Sequence, residues 1–304
     1  MTAATLETFD VDLAHGITLS CRAAGAADAP LVLFLHGFPE GAFAWEEMLV
    51  ALSDRYRCVA PNLRGFERSS QPVEVEAYRA KHLVTDVVAL VAHCNGVAGR
   101  APGTPLHALV AHDWGGAVAW NVAAQRGALL ERLVIVNSPH PATFLRELQH
   151  STAQQAASAY MNFLCRDDAA ARLAADDFAL MWRFFAAEGA AWLTGDMKAQ
   201  YRAVWSAGLQ GGLNYYRTSP LRPAQGADDR ALASIVFPPE AVTVRVPTLV
   251  IWGEGDIALL PSLLDGLEAF VPDLRIVRVP GATHWIVHEQ PALVAREIGA
   301  FLAA

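Results

Sequence analysis

The chain has 304 residues, of which 53% are apolar and only 18% charged, so it can bury a substantial core. Its formal net charge of −8 at pH 7 argues against nucleic acid or an anionic membrane surface as a partner, since both require clustered Lys and Arg. The cysteines are scattered without metal-ligand spacing, which predicts free thiols and no metal site: Cys21, Cys58, Cys94 and Cys165.

Targeting signals are not visible in the sequence. No apolar run reaches the roughly 18 residues that a transmembrane helix needs. The first residues also lack the basic and apolar regions of a secretory signal. We therefore expect a cytoplasmic protein.

Strand and helix patterns alternate in the first part of the chain. In order, they predict an antiparallel edge hairpin within Leu6–Cys21, a turn over residues 25–30, a buried strand Leu31–Leu35, a helix Trp45–Leu52, a strand Cys58–Pro61 and a helix Tyr78–His93. A Gly- and Pro-rich linker over residues 95–105 then leads into a strand, Leu106–Ala111, and a helix near Gly116–Gln125.

This alternation stops between about His140 and Val242, where the chain is Ala-rich and helical in tendency. A short strand, Leu133–Val136, precedes this block. The alternation resumes after it with a strand Thr248–Trp252, a helix near Ser262–Phe270, a strand Arg275–Val279 and a helix Ala292–Leu302.

Alternation on both sides of a helical block predicts an α/β fold, namely a doubly wound, mostly parallel sheet that carries an inserted helical lid. We expect residues 1–139 and 243–304 to form the core and residues 140–242 to form the lid. Ligands of such sheets bind outside the carboxyl ends of the strands, and the candidate core residues below follow predicted strands.

A sharp turn is predicted where the strand Leu106–Ala111 meets the following helix. Such a turn needs small residues near its apex, because the backbone is strained and the two elements approach closely. Ala111 and Gly115 flank Asp113 two residues away on either side, which favours Asp113 as a nucleophile at the apex. Asp is also among the best helix N-cap residues, and that structural role is the alternative.

Two more candidates follow later strands. Asp256 lies in a Gly-rich loop after the strand Thr248–Trp252, and His284 lies in a Gly-containing loop after the last predicted strand. With Asp113 they stand in the order nucleophile, acid, histidine, in which the acid orients the histidine as a base. The alternatives are a structural histidine and a turn-forming Asp256, and Glu254 is a weaker candidate for the acid.

The segment His36-Gly37-Phe38-Pro39 follows the buried strand Leu31–Leu35. One interpretation is a simple Gly-Pro turn. The other is a loop whose Phe38 backbone N–H, together with that of Trp114, forms an oxyanion hole.

These motifs resemble those of α/β-hydrolases of the epoxide hydrolase and haloalkane dehalogenase group, over essentially the whole chain. The matching segments are His36-Gly37-Phe38-Pro39, Asn62-Leu63-Arg64-Gly65-Phe66, His112-Asp113-Trp114-Gly115-Gly116, Trp252-Gly253-Glu254-Gly255-Asp256 and His284-Trp285. The resemblance implies an α/β-hydrolase fold with a helical lid and an aspartate nucleophile.

The resemblance also extends into the lid. Leu213-Asn214-Tyr215-Tyr216-Arg217 is similar to the epoxide hydrolase motif that carries a ring-opening tyrosine, which implies Tyr216 as a proton donor. Epoxide hydrolases typically have a second lid tyrosine. Counting against their pattern points to Asn162, whereas Tyr160 lies two residues earlier, so both stay candidates.

The substrate pocket is expected to be apolar. Trp182, Trp192 and Trp205 in the predicted lid favour this, although the sequence does not say which of them face the pocket. We also expect four further residues to line it: His36, Pro39, Asn162 and Trp285.

An aspartate nucleophile narrows the chemistry to substitution at carbon. Attack on an ester carbonyl would give a reactive anhydride, whereas attack on a saturated carbon gives an alkyl ester that water can hydrolyse. An epoxide needs a proton donor for its leaving oxygen, which Tyr216 can supply, whereas a halide needs only N–H donors. Phe38 stands where many haloalkane dehalogenases have Asn, and Trp114 stands where fluoroacetate dehalogenases have Arg, so epoxides are favoured.

We therefore predict a cofactor-free hydrolase that opens small apolar epoxides through an ester on Asp113. A haloalkane or haloacid dehalogenase with the same ester mechanism is the nearest alternative. A non-catalytic ligand-binding protein on this fold is an alternative of another class, but binding alone does not require Asp113, Asp256 and His284 together. The sequence leaves the oligomeric state open, and a homodimer is one candidate.

Overall fold

The computed structural model describes residues 5–185, 190–225 and 231–304. Within these ranges the strands are β1 (Glu7–Asp12), β2 (Thr18–Ala24), β3 (Leu31–Leu35), β4 (Arg57–Pro61), β5 (Ala108–His112), β6 (Leu133–Val136), β7 (Thr248–Gly253) and β8 (Leu274–Val279). They form one sheet in the order β1-β2-β4-β3-β5-β6-β7-β8. The pairs β1/β2 and β2/β4 are antiparallel and the others are parallel, which confirms the predicted edge hairpin and the mostly parallel sheet.

The α-helices of the described ranges fall into core and lid sets. Those outside residues 140–242 are α1 (Glu46–Leu52), α2 (Ala80–Val97), α3 (Asp113–Arg126), α11 (Ile286–Glu289) and α12 (Pro291–Leu302). Those between β6 and β7 are α4 (Pro141–His150), α5 (Thr152–Ala157), α6 (Tyr160–Leu164), α7 (Ala169–Trp182), α8 (Gly195–Ala207), α9 (Gln210–Thr218) and α10 (Pro239–Val242).

The central strand β3 shows how helices cover both faces of the sheet. Leu31, Leu33 and Leu35 belong to a buried cluster with α2 and α3, whereas Val32 and Phe34 belong to one with α1 and α12. Successive side chains of a strand point to opposite faces, and both faces of a parallel sheet are normally covered by helices. The continuous apolar run of β3 is the consequence.

The predicted helix over Ser262–Phe270 is wrong. The structure has two short 3₁₀ turns there, Pro261–Leu264 and Leu267–Ala269. Gly266 separates them with a φ of 72°, and a left-handed residue cannot continue a right-handed helix.

The helices α4 to α10 lie in the segment that the sequence predicts as the lid, and none of the described residues between β6 and β7 forms a strand. The segments 186–189 and 226–230 of the predicted lid, and residues 1–4 of the predicted core, lie outside the described residues. Two glycines allow a close contact between α9 and the loop after β4, since a Cβ on Gly211 of α9 would lie 2.3 Å from the Gly65 Cα. This contact seats α9 over the carboxyl ends of the strands.

Candidate active site

Asp113 is the first residue of α3 and follows β5 directly. Its φ of 49° lies in the left-handed region, which costs a residue with a side chain about 1–2 kcal/mol, although Asp tolerates it better than most. The N-cap alternative is wrong, because the N-cap position belongs to His112. Asp113 Oδ1 instead accepts a hydrogen bond at 2.7 Å from the backbone N–H of Phe38, which lies in the loop after β3.

Three glycines allow this turn to form. A Cβ on Gly115 would lie 2.4 Å from the Leu35 carbonyl oxygen, and one on Gly116 would lie 2.3 Å from the Ser138 Cβ. A Cβ on Gly37 would lie 2.3 Å from Asp113 itself. A side chain at any of these three positions would overlap neighbouring atoms, so glycine is required there for the turn at Asp113.

We expect Gly115→Ala to destabilise the fold by about 1–3 kcal/mol, because its methyl group would collide with rigid backbone of β3. Gly96→Ala is the matched control. Gly96 lies within α2, and a methyl group added there would meet no neighbouring residue within 4 Å, so this change should stabilise the protein by about 0.5–1 kcal/mol. Chemical denaturation of both variants measures the difference, and equal midpoints would contradict the expectation.

The structure brings His284 and Asp256 together beside Asp113. His284 Nδ1 lies 2.7 Å from Asp256 Oδ2, and its Nε2 lies 3.7 Å from Asp113 Oδ2. The Asp256 carboxylate is buried and also accepts the backbone N–H groups of Ala258 and Leu259, each at 2.9 Å. Asp256 is thus held in place at hydrogen-bond distance from the His284 imidazole.

Opposite charges shift the pKa values of this pair. Burial acts to raise the pKa of Asp256, but the charge and hydrogen bond of His284, with further hydrogen bonds, outweigh it and lower the pKa. Burial acts to lower the pKa of His284, whereas the charges of Asp256, Asp113 and Glu40 raise it to about 9. His284 is therefore an imidazolium at neutral pH while these carboxylates are ionised.

The predicted oxyanion loop faces Asp113 from β3. The Phe38 N–H already donates to the Asp113 carboxylate. Trp114 is the second residue of α3, and its amide is one of the first-turn N–H groups that a helix leaves without an internal acceptor. The Phe38 N–H thus lies at the carboxylate whose oxygen would become an oxyanion, and Trp114 is the residue next to Asp113 in the chain.

A cavity of about 430 Å³ opens in front of Asp113. Asp113, Trp114, Tyr160 and Tyr216 all line it, and most of its remaining surface is apolar. His284 is not part of this lining, and its Nε2 lies 3.7 Å from Asp113 Oδ2.

The two lid tyrosines meet inside this cavity. Their rings pack edge to face with centroids 6.3 Å apart. The rings of Tyr216 and Trp114 pack edge to face with centroids 4.9 Å apart. Burial, together with neighbouring groups that include Asp113, raises the pKa of both tyrosines, so both phenols stay protonated at neutral pH.

The structure corrects the predicted pocket positions of His36 and Pro39, which do not line the cavity. His36 is fully buried, and its Nε2 accepts the Leu63 N–H at 2.9 Å, so its Nδ1 carries the proton that it donates to the Gly37 carbonyl. Burial lowers the pKa of His36 to about 4, which keeps it neutral. The Pro39 carbonyl accepts the Trp205 indole N–H at 2.7 Å. These residues hold the oxyanion loop in place.

Asn162 and Trp285 are corrected in the same way, since neither lines the cavity. Asn162 donates to the Pro223 carbonyl at 3.1 Å. It lies two residues after Tyr160 on the short helix α6, and residues two apart on a helix do not share a face. The Trp285 indole donates to the Phe184 carbonyl and its ring packs on Phe185, with centroids 4.5 Å apart.

Three other aromatic residues that suggested the pocket pack elsewhere. Trp182 contacts Trp205 at 4.5 Å between ring centroids, and Trp192 stacks on His288 at 4.6 Å. None of the three lines the cavity with Asp113. Glu254, the weaker candidate for the acid, lies 3.4 Å from Arg278 at the surface rather than beside His284.

A buried group that the sequence analysis did not single out supports His284. Glu40 accepts hydrogen bonds from His288 at 2.6 Å and from the Tyr201 hydroxyl at 2.7 Å, and His112 Nδ1 lies 3.2 Å from it. His112 Nε2 lies 2.9 Å from the His284 carbonyl oxygen, so both ring nitrogens of His112 face hydrogen-bond acceptors. Burial acts to raise the pKa of Glu40, but the two histidines lower it. The available signal in the sequence was that Glu40 directly follows the segment His36-Gly37-Phe38-Pro39 and that His112 directly precedes Asp113.

Asn137 was missed as well. It follows β6 with a φ of 37°, and its amide donates to Asp256 Oδ2 at 2.9 Å while its oxygen accepts the Gly253 N–H at 2.8 Å. Asn137 thus ties the acid loop to the neighbouring strand. Its position directly after a predicted strand was the available signal.

An aspartate at a strained strand-to-helix turn, with a second aspartate and a histidine after later strands of a parallel sheet, is the arrangement of the α/β-hydrolase class of enzymes. In the described part of the chain no helix is long and apolar enough to cross a membrane. The described residues also contain no group of three or more His, Cys, Asp or Glu side chains that could hold a metal ion.

Known proteins support this class. Residues 30–291 match the family model of the alpha/beta hydrolase fold. The chain is 32% identical over 293 residues to the AB hydrolase superfamily protein YfhM of Bacillus subtilis, which covers 95% of each chain. It is 30% identical over 288 residues to Epoxide hydrolase 1 of Caenorhabditis elegans, covering 91% of this chain and 66% of the relative.

Solved structures point the same way. The epoxide hydrolase of Bacillus megaterium in complex with an inhibitor superposes with a TM-score of 0.87 at 29% identity, covering 97% of this chain and 100% of that one. An epoxide hydrolase from metagenomes of hot environments gives a TM-score of 0.86 at 35% identity, covering 98% and 99%. The chain belongs to the α/β-hydrolase family and is similar to its epoxide hydrolases.

Proposed function

We propose that this enzyme hydrolyses small apolar epoxides to diols through an alkyl ester on Asp113. One observation carries the proposal: two protonated phenols, Tyr160 and Tyr216, share an apolar cavity with the Asp113 carboxylate. The relatives named epoxide hydrolases support the same activity. A halide would not need these phenols.

In the first step an oxygen of Asp113 attacks a carbon of the epoxide ring. A new C–O bond forms to the carboxylate and the ring C–O bond breaks, so the ring oxygen takes up the electron pair. A phenol proton neutralises this oxygen and leaves a phenolate, with Tyr216 as the main donor and Tyr160 as the second. The presence of Tyr160 in the cavity favours it over Asn162 as the second donor.

In the second step a water molecule attacks the ester carbonyl carbon of Asp113. His284 takes the proton of this water, and Asp256 stabilises the resulting imidazolium. The Phe38 and Trp114 N–H groups stabilise the oxyanion of the tetrahedral intermediate. When the intermediate collapses, His284 gives its proton to the leaving diol oxygen. The carboxyl proton of Asp113 then passes to His284, so the carboxylate is restored with an oxygen from water.

The pKa of His284 makes the two steps compatible. With Asp113 ionised, the pKa of His284 is about 9, so His284 is protonated and cannot act as a base. Once Asp113 is alkylated its negative charge is gone, and the pKa of His284 falls because one of the charges that raised it is removed. The proton that His284 releases returns to the phenolate, so the phenol is restored and the neutral imidazole required for the second step is produced.

We expect the rate of ester hydrolysis to rise with pH and to level off below pH 9. The sign follows from the base, because only unprotonated His284 removes the proton from water and its pKa in the ester is lower than about 9. Single-turnover tryptophan fluorescence, followed after rapid mixing with styrene oxide, measures this rate. A rate that falls as the pH rises toward 9 would argue against His284 as the base.

The choice between epoxide and halide rests on Tyr216. Tyr216→Phe should lower kcat/KM for styrene oxide by about 10²- to 10⁴-fold, because the ring oxygen loses its main proton donor. Gas chromatography of the diol measures the loss. Tyr56→Phe is the matched control, since Tyr56 is buried but stacks on His107 away from the cavity; its activity should stay that of the wild type.

A dehalogenase gives the opposite pattern in the same experiment. It would release halide from bromoalkanes, and Tyr216→Phe would leave that rate nearly unchanged. A non-catalytic binding protein would bind the epoxide without forming diol at all. Diol formation that depends on Tyr216 is the expected result, and either other pattern would overturn the proposal.

A further inference from the structure

The cavity in front of Asp113 continues along one face of helix α3. Asp113, Ala117, Asn121 and Gln125 all line it, and residues four apart lie above one another on a helix. At 1.5 Å per residue, the helix advances about 18 Å from Asp113 to Gln125. Gln125 is exposed, so this channel, the α3 groove, reaches the surface at its far end.

The α3 groove is uncharged beyond its reactive end. Asp113 is the one charged side chain among the described residues that line it. Leu83 of α2 and Phe144 of α4 contribute apolar walls. The carboxamides of Asn121 and Gln125 hydrogen-bond to each other at 3.2 Å, and they give the distal half of the groove a neutral polar edge. An ionic group would lose its hydration here without gaining a partner of opposite charge.

We propose that the enzyme prefers elongated, uncharged terminal epoxides whose unbranched apolar tail lies along the α3 groove. This inference rests on the proposed epoxide hydrolysis and specifies its substrate class. An extended chain advances about 1.2 Å per single bond, so each step of four helix residues accommodates about five bonds. A tail of about five bonds from the reacting carbon would then reach Ala117, one of about ten bonds would reach Asn121, and one of about fifteen bonds would reach Gln125.

Tail length should therefore control the specificity constant. Each methylene that moves from water into the groove can raise kcat/KM by up to about fourfold, provided that its burial also stabilises the transition state. Tails that pass Gln125 gain little, because they return to water. A substituent at one of the marked positions should shorten the accepted tail to that position.

The test measures kcat/KM for butene oxide, octene oxide and dodecene oxide with three variants. Ala117→Leu should lower the octene-to-butene ratio by roughly tenfold or more, since it fills the groove at about five bonds. Asn121→Trp fills it farther out, at a half-buried position that tolerates a larger side chain, and should lower the dodecene-to-octene ratio by a similar factor. Arg126→Trp is the matched control at an exposed neighbour that does not line the groove, and it should leave both ratios unchanged.

Three results would overturn the proposal on tail length. One is a wild-type specificity constant that does not rise from butene to dodecene oxide. The second is a loss at the same tail length in Ala117→Leu and Asn121→Trp, and the third is unchanged ratios in both variants. Diol formation from these epoxides with any of these patterns overturns the tail proposal alone. No diol from any epoxide overturns the proposed function itself.

Discussion

Asp113→Asn should lower kcat for epoxide hydrolysis on the order of 10⁵-fold or more, the scale seen when a covalent nucleophile is removed. An amide oxygen is a far weaker nucleophile than a carboxylate, and no other charged side chain among the described lining residues could replace it. Asn also tolerates the left-handed backbone at φ 49° as well as Asp does, so the fold should be retained. Initial rates of diol formation measure the loss.

The same variant offers an independent electrostatic readout. Asp113 is one of the charges that raise the pKa of His284, so the amide should lower that pKa from about 9. NMR titration of the His284 imidazole would detect the change. Asp54→Asn, at an exposed position, serves as the control and should alter neither rate nor titration. Asp113→Asn with more than about a tenth of wild-type kcat would contradict a covalent role on the scale expected.

His284→Gln should trap the alkyl ester. Attack by Asp113 needs no base, whereas hydrolysis of the ester needs His284 to deprotonate water, so the second step alone should slow by about 10²- to 10⁴-fold. Intact-protein mass spectrometry after mixing with styrene oxide should then show a mass increase equal to one substrate molecule. Peptide mapping should place the added mass on Asp113.

His93→Gln is the matched control for this experiment. His93 is exposed on α2, far from the triad in the fold, and its replacement should leave no adduct after turnover. A panel of epoxides that yields no adduct with His284→Gln would refute the ester mechanism. An adduct on another residue would refute the assignment of Asp113 as the nucleophile.

Strand positions were largely readable from the sequence. The predicted strands Leu31–Leu35 and Leu133–Val136 coincide with β3 and β6, because a strand buried on both faces is a continuous apolar run. The prediction of a helix over Ser262–Phe270 was wrong for a local reason. Its apolar spacing fits a helix, but Gly266 adopts a left-handed conformation that spacing does not reveal.

The positions of Asp113, Asp256 and His284 beside one another were also predictable. Each follows a strand, and the carboxyl ends of parallel strands meet at one edge of the sheet. The small residues around Asp113 by themselves indicate a tight turn. The catalytic roles of the three residues stay predictions that the variants above test.

What the sequence by itself determined is therefore the sheet, the sharp turn at Asp113 and the meeting of three polar residues after three strands. Tertiary structure alone decided which lid residues face the cavity. Tyr160 lines it whereas Asn162, two residues later, does not. The physical reason is that a short lid helix is buried by contacts with distant elements, and its crossing angle over the sheet is not encoded in local apolar spacing. The support of His284 by Glu40, which is far from it in the chain, arises from the same long-range packing.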